Sequence, residues 1–235
     1  MKILALDSTA KTATVALCED ERLISIYSVT AGLNHSETLL PMVENALITA
    51  QMELGDVEML AISAGPGSFT GVRIGVSLLK GLAFGSQKPC VGVSTLEALA
   101  YNLRGIDGII CPVMDARRDQ VYNGLFLSEG GTITRLTEDR AIALTDLDAE
   151  LKDKYCGKRI YLCGDGYTLA AAKLTAEISH TPVLLREQNA YSVAQCALKK
   201  YLADPDADYG DRGLKPTYLR VPQAERERLE RLKAD

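Results

Sequence analysis

Lys2-Ile3-Leu4-Ala5-Leu6-Asp7-Ser8-Thr9-Ala10-Lys11-Thr12-Ala13-Thr14-Val15-Ala16-Leu17-Cys18 reads as strand, turn, strand, because two apolar runs flank a segment of polar turn formers. Asp7 stands directly after the first strand. Leu23-Ile24-Ser25-Ile26-Tyr27-Ser28-Val29 adds a third strand, with Glu19-Asp20-Glu21 as its turn. Further along, the pattern returns as Ile109-Ile110-Cys111-Pro112-Val113-Met114, Asp115-Ala116-Arg117-Arg118-Asp119-Gln120 and Val121-Tyr122-Asn123-Gly124-Leu125-Phe126-Leu127. A turn at Glu129-Gly130-Gly131 and a strand through Thr132-Ile133-Thr134 complete the copy. A βαβ unit would carry a helix after its first strand; both copies carry a hairpin instead.

A duplicated strand-Asp-turn-strand unit is the arrangement of the actin, hexokinase and heat-shock-ATPase superfamily. The fold class expected is therefore α/β: two duplicated actin-like (ribonuclease H-like) subdomains, each a mixed sheet flanked by helices. Their expected limits are 1–105 and 106–218, followed by a helical tail over 219–235. In that tail, Leu229 and Leu232 would dock across the subdomain boundary, while the alternating charges face solvent.

Between the copies, Asn34-His35-Ser36 caps a helix running to about Met52, with Glu37 in its first turn. Residues 57–63 form a buried strand that enters Gly65-Pro66-Gly67-Ser68-Phe69-Thr70-Gly71, from which a second helix runs to about Gly85. Cys90-Val91-Gly92-Val93 is a strand, and Ser94 or Thr95 caps a helix over 96–103. In the second half, 147–154, 169–178 and 192–202 read as helices, and Ile160-Tyr161-Leu162-Cys163 as a strand ending in Gly164-Asp165-Gly166.

The chain has 235 residues, 47% of them hydrophobic, enough for one large domain or two small ones sharing an interface. Lys and Arg number 26 against 31 Asp and Glu, so the net charge of -5 opposes unaided attraction to a phosphate backbone. No apolar run approaches the roughly 18 residues of a membrane span, and the start is too short for a signal peptide. A cytoplasmic location is expected. Six cysteines without a Cys-x-x-Cys pair read as small buried hydrophobes. With only His35 and His180, a metal site on paired histidines at helical spacing is not possible, and both histidines read as capping or surface residues. The acidic loop 204–210 lacks the alternation and terminal Glu of an EF-hand.

Two segments bear on chemistry. Glycines before a helix N-terminus leave N–H groups for an anion, and Asp7 and Asp115 stand where the kinase-like superfamily places carboxylates near a metal-phosphate; with Ser8, Thr9, Gly65, Gly67 and Asp165 they are the candidate nucleotide site. The alternative is that the glycines only permit a tight strand-to-helix turn and that each Asp satisfies its own turn. No Lys and Ser or Thr follow Gly71, so the loop is not a Walker A motif. The helix over 71–85 is apolar on most sides, and glycines thin its surface. With the helix over 36–52, it reads as a partner interface carried by Leu39, Leu40, Val43, Leu47, Arg73, Val76, Leu79, Lys80 and Ala83. The alternative is a helix sandwiched within one protomer. No catalytic residue and no metal ligand are assigned.

Leu4-Ala5-Leu6-Asp7-Ser8-Thr9, Asn34-His35-Ser36-Glu37-Thr38-Leu39-Leu40-Pro41, Ala64-Gly65-Pro66-Gly67-Ser68-Phe69-Thr70-Gly71-Val72-Arg73-Ile74-Gly75 and Met114-Asp115-Ala116-Arg117-Arg118-Asp119-Gln120-Val121-Tyr122 together resemble the TsaB family. Pro216-Thr217-Tyr218-Leu219-Arg220 extends the likeness more loosely. The resemblance implies a non-catalytic subunit that binds and activates a TsaD-like catalytic subunit, joined by a TsaE-like ATPase, for threonylcarbamoyl transfer to the tRNA adenosine beside the anticodon. It implies a homodimer when the partner is absent, tRNA contact only through the complex, no cofactor of its own, and ATP or ADP as a candidate ligand of the complex interface. TsaD carries a His-x-x-x-His motif that this chain lacks. The competing expectation is an ATP-dependent kinase or ATPase acting alone through Asp7, Asp115 and the glycine loop.

Overall fold

The computed structural model describes residues 1–220. The expected tail helix with Leu229 and Leu232 lies outside the described residues. The first sheet has the order β3-β2-β1-β4-β5, from β1 (Lys2–Asp7), β2 (Ala13–Glu19), β3 (Arg22–Val29), β4 (Met59–Ser63) and β5 (Cys90–Val93). β1, β2 and β3 run antiparallel as a meander, while β1, β4 and β5 are parallel. Strands β1, β2 and β4 are covered on both faces, which is why they read as continuous apolar runs.

The second sheet repeats this plan. β6 (Gly108–Asp115) pairs antiparallel with both β7 (Gln120–Asn123) and β8 (Phe126–Glu129), and parallel with β11 (Ile160–Cys163). β9 (Thr132–Arg135) pairs β8, and β10 (Arg140–Ala143) pairs β7. β7 and β8 together are the counterpart of β2, broken between Asn123 and Phe126, where the sequence suggested one strand over 121–127. The break stands opposite Pro112, which has no N–H to give to a ladder. The buried Asn123 side chain bridges it, its Nδ2 donating to the Pro112 carbonyl at 2.9 Å. A single bridge from Tyr161 to Ser179 stands where the first sheet has β5.

Helices α1 (His35–Thr49) and α2 (Phe69–Ala83) cover one face of the first sheet. The Asn34 side chain caps α1, and Ser68 caps α2 by accepting the Gly71 N–H. The other face packs on α6 (Ala190–Ala203), and α3 (Thr95–Tyr101) bridges from α6 to the second sheet. Helices α4 (Leu144–Lys154) and α5 (Tyr167–Lys173) close the far side. The order of layers is thus helices, sheet, helices, sheet, helices. Although α6 lies in the stretch expected for the second subdomain, its Val193, Ala194 and Ala197 pack on β1, β2 and β4. Among the described residues, no helix is long and apolar enough to cross a membrane.

Candidate functional site

Asp7 closes β1, and its carboxylate is engaged by its own turn and by the end of β4. It accepts the Thr9 N–H at 2.8 Å, the Thr9 hydroxyl at 2.7 Å and the Ser63 hydroxyl at 2.5 Å. Burial pushes the carboxyl up, and the hydrogen bonds from Ser63 and Thr9 pull it back. The side chain is 1% exposed. The Ser8 hydroxyl donates to the Gly71 carbonyl at 2.9 Å, and the Ser68 N–H donates to the Thr9 carbonyl at 2.7 Å.

The glycine loop lies directly on this turn. A Cβ on Gly67 would stand 2.5 Å from the Thr9 carbonyl oxygen, and one on Gly71 would overlap the Ser8 carbonyl oxygen. Gly65, at φ +117°, lies against the Thr217 backbone, whose N–H donates to the Ala64 carbonyl at 2.7 Å. The fold therefore brings Asp7, Ser8, Thr9 and Gly67 together as partners of one turn, while Gly65 faces Thr217. Chain backbone lies where side chains on Gly65, Gly67 and Gly71 would project, and the Ser8 and Thr9 hydroxyls and the Thr9, Ser68 and Gly71 N–H groups already have acceptors. These contacts are those of a tight strand-to-helix turn.

Removing the Asp7 carboxylate would leave the Ser63 hydroxyl and the Thr9 donors buried without partners. Asp7→Ala should therefore cost about 2–4 kcal/mol of stability, since each orphaned buried group costs roughly 1–3 kcal/mol. Thermal unfolding followed by circular dichroism checks this, and an unchanged midpoint would overturn it.

The second copy is more open. Asp115 accepts the Arg117 N–H at 2.7 Å, and the Arg117 guanidinium lies 3.5 Å from it. Asp165 sits in the turn after β11, where Gly164 and Gly166 allow the backbone to press on the Val113 carbonyl. Asp165 keeps an exposed edge. The protein packed round its carboxyl, opposed by a hydrogen bond from the Asp115 backbone and reinforced by the Asp115 and Glu187 charges, lifts it to about 6. Lys11 offsets part of that lift. Asp115 and Asp165 are thus neighbours, whereas Asp7 makes its contacts elsewhere. Among the described residues, no group of three His, Cys, Asp or Glu is placed to hold a metal ion.

The helix face expected as a partner surface divides in two. Leu39, Val43, Val76, Leu79 and Ala83 pack into the core with Leu6, Ile62 and their neighbours, so these five are sheet-facing and are withdrawn from the partner surface. Of the remaining four, Leu40 and Arg73 are exposed, and Leu47 and Lys80 are half-buried. Arg73 is held locally, its guanidinium 3.8 Å above the Phe69 ring and its Nε donating to the Tyr218 hydroxyl at 2.8 Å. The interface residues named from the sequence left out Leu33, Ile48 and Phe84, which are 56%, 71% and 86% exposed. Ile48 lies two turns after Leu40 on α1, a spacing that was available as a signal.

Cysteines 18, 90, 111, 163 and 196 are buried, and burial pushes the Cys18 and Cys111 thiols to about 12. His35 bonds the Ala10 carbonyl through Nε2 at 2.7 Å, and His180 lies exposed in a loop.

The family model for TsaD, tRNA N6-adenosine threonylcarbamoyltransferase, matches residues 27–224. The chain is 40% identical over 154 residues to the tRNA threonylcarbamoyladenosine biosynthesis protein TsaB of Bacillus subtilis (strain 168), covering 66% of this chain and 67% of that one. To the protein of the same description from Escherichia coli (strain K12) it is 33% identical over 160 residues, covering 67% and 69%. The solved structure of YeaZ from Pseudomonas aeruginosa superposes with a TM-score of 0.75 at 24% identity, covering 93% of this chain and 99% of that one, a likeness of fold. The duplicated actin-like architecture, the Asp7 turn locked on its glycine loop and these identities place the chain in the TsaB family of tRNA threonylcarbamoyladenosine biosynthesis proteins.

Proposed function

We propose that this chain is a non-catalytic subunit that binds and activates a TsaD-like catalytic subunit for threonylcarbamoyl transfer to the tRNA adenosine beside the anticodon. The observation that carries this reading is the exposure of Leu40 and Ile48 on α1 and of Phe84 at the end of α2, next to an open Gly85. Large apolar side chains gathered at a helix pair are what a partner helix buries. The self-satisfied Asp7 supports the same reading, because it withdraws the residue on which a kinase mechanism would depend. A TsaE-like ATPase completes the complex in this proposal, tRNA is reached through the complex, and two copies pair through the same face when the catalytic partner is missing. ATP or ADP would belong to the interface between subunits, and the setting is the cytoplasm. In this proposal residues 1–105 together with α6 act as the first subdomain, and the rest of 106–218 as the second.

A second reading, an ATPase acting alone, is favoured by one feature: the Asp165 carboxyl stands within reach of the charges of Asp115 and Lys11. One experiment separates the two. The chain alone should neither turn over ATP nor modify tRNA, and modification should appear only when TsaD-like and TsaE-like proteins are added. Steady ATP turnover by the isolated chain that disappears in Asp115→Asn would overturn the subunit reading.

A further inference from the structure

The turn joining β6 to β7 has a backbone that its residues do not favour. Arg117, Arg118 and Asp119 stand at φ +65°, +56° and +56°, three consecutive left-handed residues with no glycine among them. L-residues enter this region singly, and arginine has no local hydrogen bond to compensate it. The conformation projects the two arginines outward: the Arg117 side chain is 86% exposed and Arg118 is exposed. The end of the described chain brings a third guanidinium to the same turn, Arg220 Nη1 donating to the Ala116 carbonyl at 2.5 Å.

The acids of the turn are already engaged. Asp119 pairs with Lys173, and Asp115 accepts the Arg117 N–H. Among the described residues, neither Arg118 nor Arg220 pairs with a carboxylate, and Arg117 has only the 3.5 Å contact with Asp115. Asp165 stands near Asp115, and Glu187 acts on Asp165. In a chain of net charge -5, this is a concentrated positive point on a negative background. No large exposed apolar side chain belongs to residues 115–120, so the turn lacks the apolar centre of a protein interface. Arginines projecting from a fixed turn suit phosphate oxygens, which they engage in a planar fork.

We propose that Arg117, Arg118 and Arg220 contact the phosphate backbone of the tRNA when this chain sits in its complex. The proposal rests on the subunit reading above. Phosphate contacts of this kind orient the RNA and carry no sequence information.

The test uses the complex assembled with TsaD-like and TsaE-like proteins, with tRNA binding measured by equilibrium titration across a salt series. R117G/R118G should weaken tRNA binding about tenfold and reduce the salt slope by about 1–2. Glycine suits the left-handed backbone, so the same variant should melt at or above the wild-type temperature. That opposition of sign separates a binding role from a structural one. If the variant melts early, Arg118→Glu alone carries the titration. Unchanged tRNA affinity and slope would overturn the proposal, and so would loss of subunit association with tRNA affinity intact, which would make the turn a protein contact. A wild-type complex that binds tRNA but modifies none would sink the subunit reading, while its titration would still report on the arginines.

Discussion

Gly71→Ala is expected to cost about 4 kcal/mol of stability. In an isolated helix the change should help by about 1 kcal/mol, because alanine outranks glycine in helix propensity. Here the added methyl would overlap the Ser8 carbonyl oxygen, which is backbone and has no rotamer to yield. The turn after β1 and the start of α2 would have to separate. That separation opens the Ser8 hydroxyl bond to the Gly71 carbonyl and the Ser68 N–H bond to the Thr9 carbonyl, both in packed surroundings. Two buried polar groups left unpaired cost roughly 1–3 kcal/mol each, and forced overpacking adds roughly 1–3 kcal/mol, which together outweigh the propensity gain. For a chain of this size, a loss of about 4 kcal/mol lowers the melting temperature by roughly 8–16 °C. Gly81→Ala on the same helix has nothing within 4 Å of the new methyl and should gain up to about 1 kcal/mol. Thermal melts of the two variants check the pair. Equal midpoints would mean that the glycine loop is not fitted to the Asp7 turn.

The strand-Asp-turn-strand unit was legible because its signals are local: apolar runs, turn formers and a cap at Asn34 or Ser68 act over a few residues. The glycine loop was legible as a loop, but its use was not. Gly65, Gly67 and Gly71 face Thr217, Thr9 and Ser8, and a spacing of glycines does not say whether an anion or the chain's own backbone will come close. The break between β7 and β8 depends on Pro112 in the neighbouring strand, a relation of register rather than of adjacency. Likewise, α6 returns to the first sheet because that sheet's inner face still needs cover, and chain order alone pointed to the second subdomain.

The candidate site divides along the same line. Asp115 and Asp165 were singled out separately, and the fold makes them neighbours. The left-handed turn at 117–119 went unseen, since Arg-Arg-Asp carries none of the glycine or asparagine that usually announces such a backbone. For α2, a helical wheel with apolar residues on most sides has no polar stripe to orient it. Val76 and Leu79 were therefore assigned to a partner, whereas Ile62 and Leu6 of the sheet claim them.

The resolved orientation makes the interface prediction sharper. Phe84→Glu and Ile48→Glu should each weaken association with the TsaD-like subunit by about 2–4 kcal/mol, roughly 30-fold to 1,000-fold in dissociation constant. Both side chains are exposed in the isolated chain, so a charge there is hydrated and the fold should be unchanged. In the complex, the same charge would be desolvated against apolar neighbours without a partner, a cost that falls entirely on the bound state. Leu79→Glu is the opposite case: Leu79 is fully buried under the sheet, so the charge would be unpaired in the folded monomer and the protein should not fold. Sedimentation of the variants alone and with the TsaD-like protein, beside circular dichroism, separates loss of association from loss of fold. If two copies pair through the same face, the homodimer should weaken in parallel. Folded Phe84→Glu and Ile48→Glu variants that both associate like the wild type would place the partner surface elsewhere, leaving the outer face of α1 and α2 without a role in assembly.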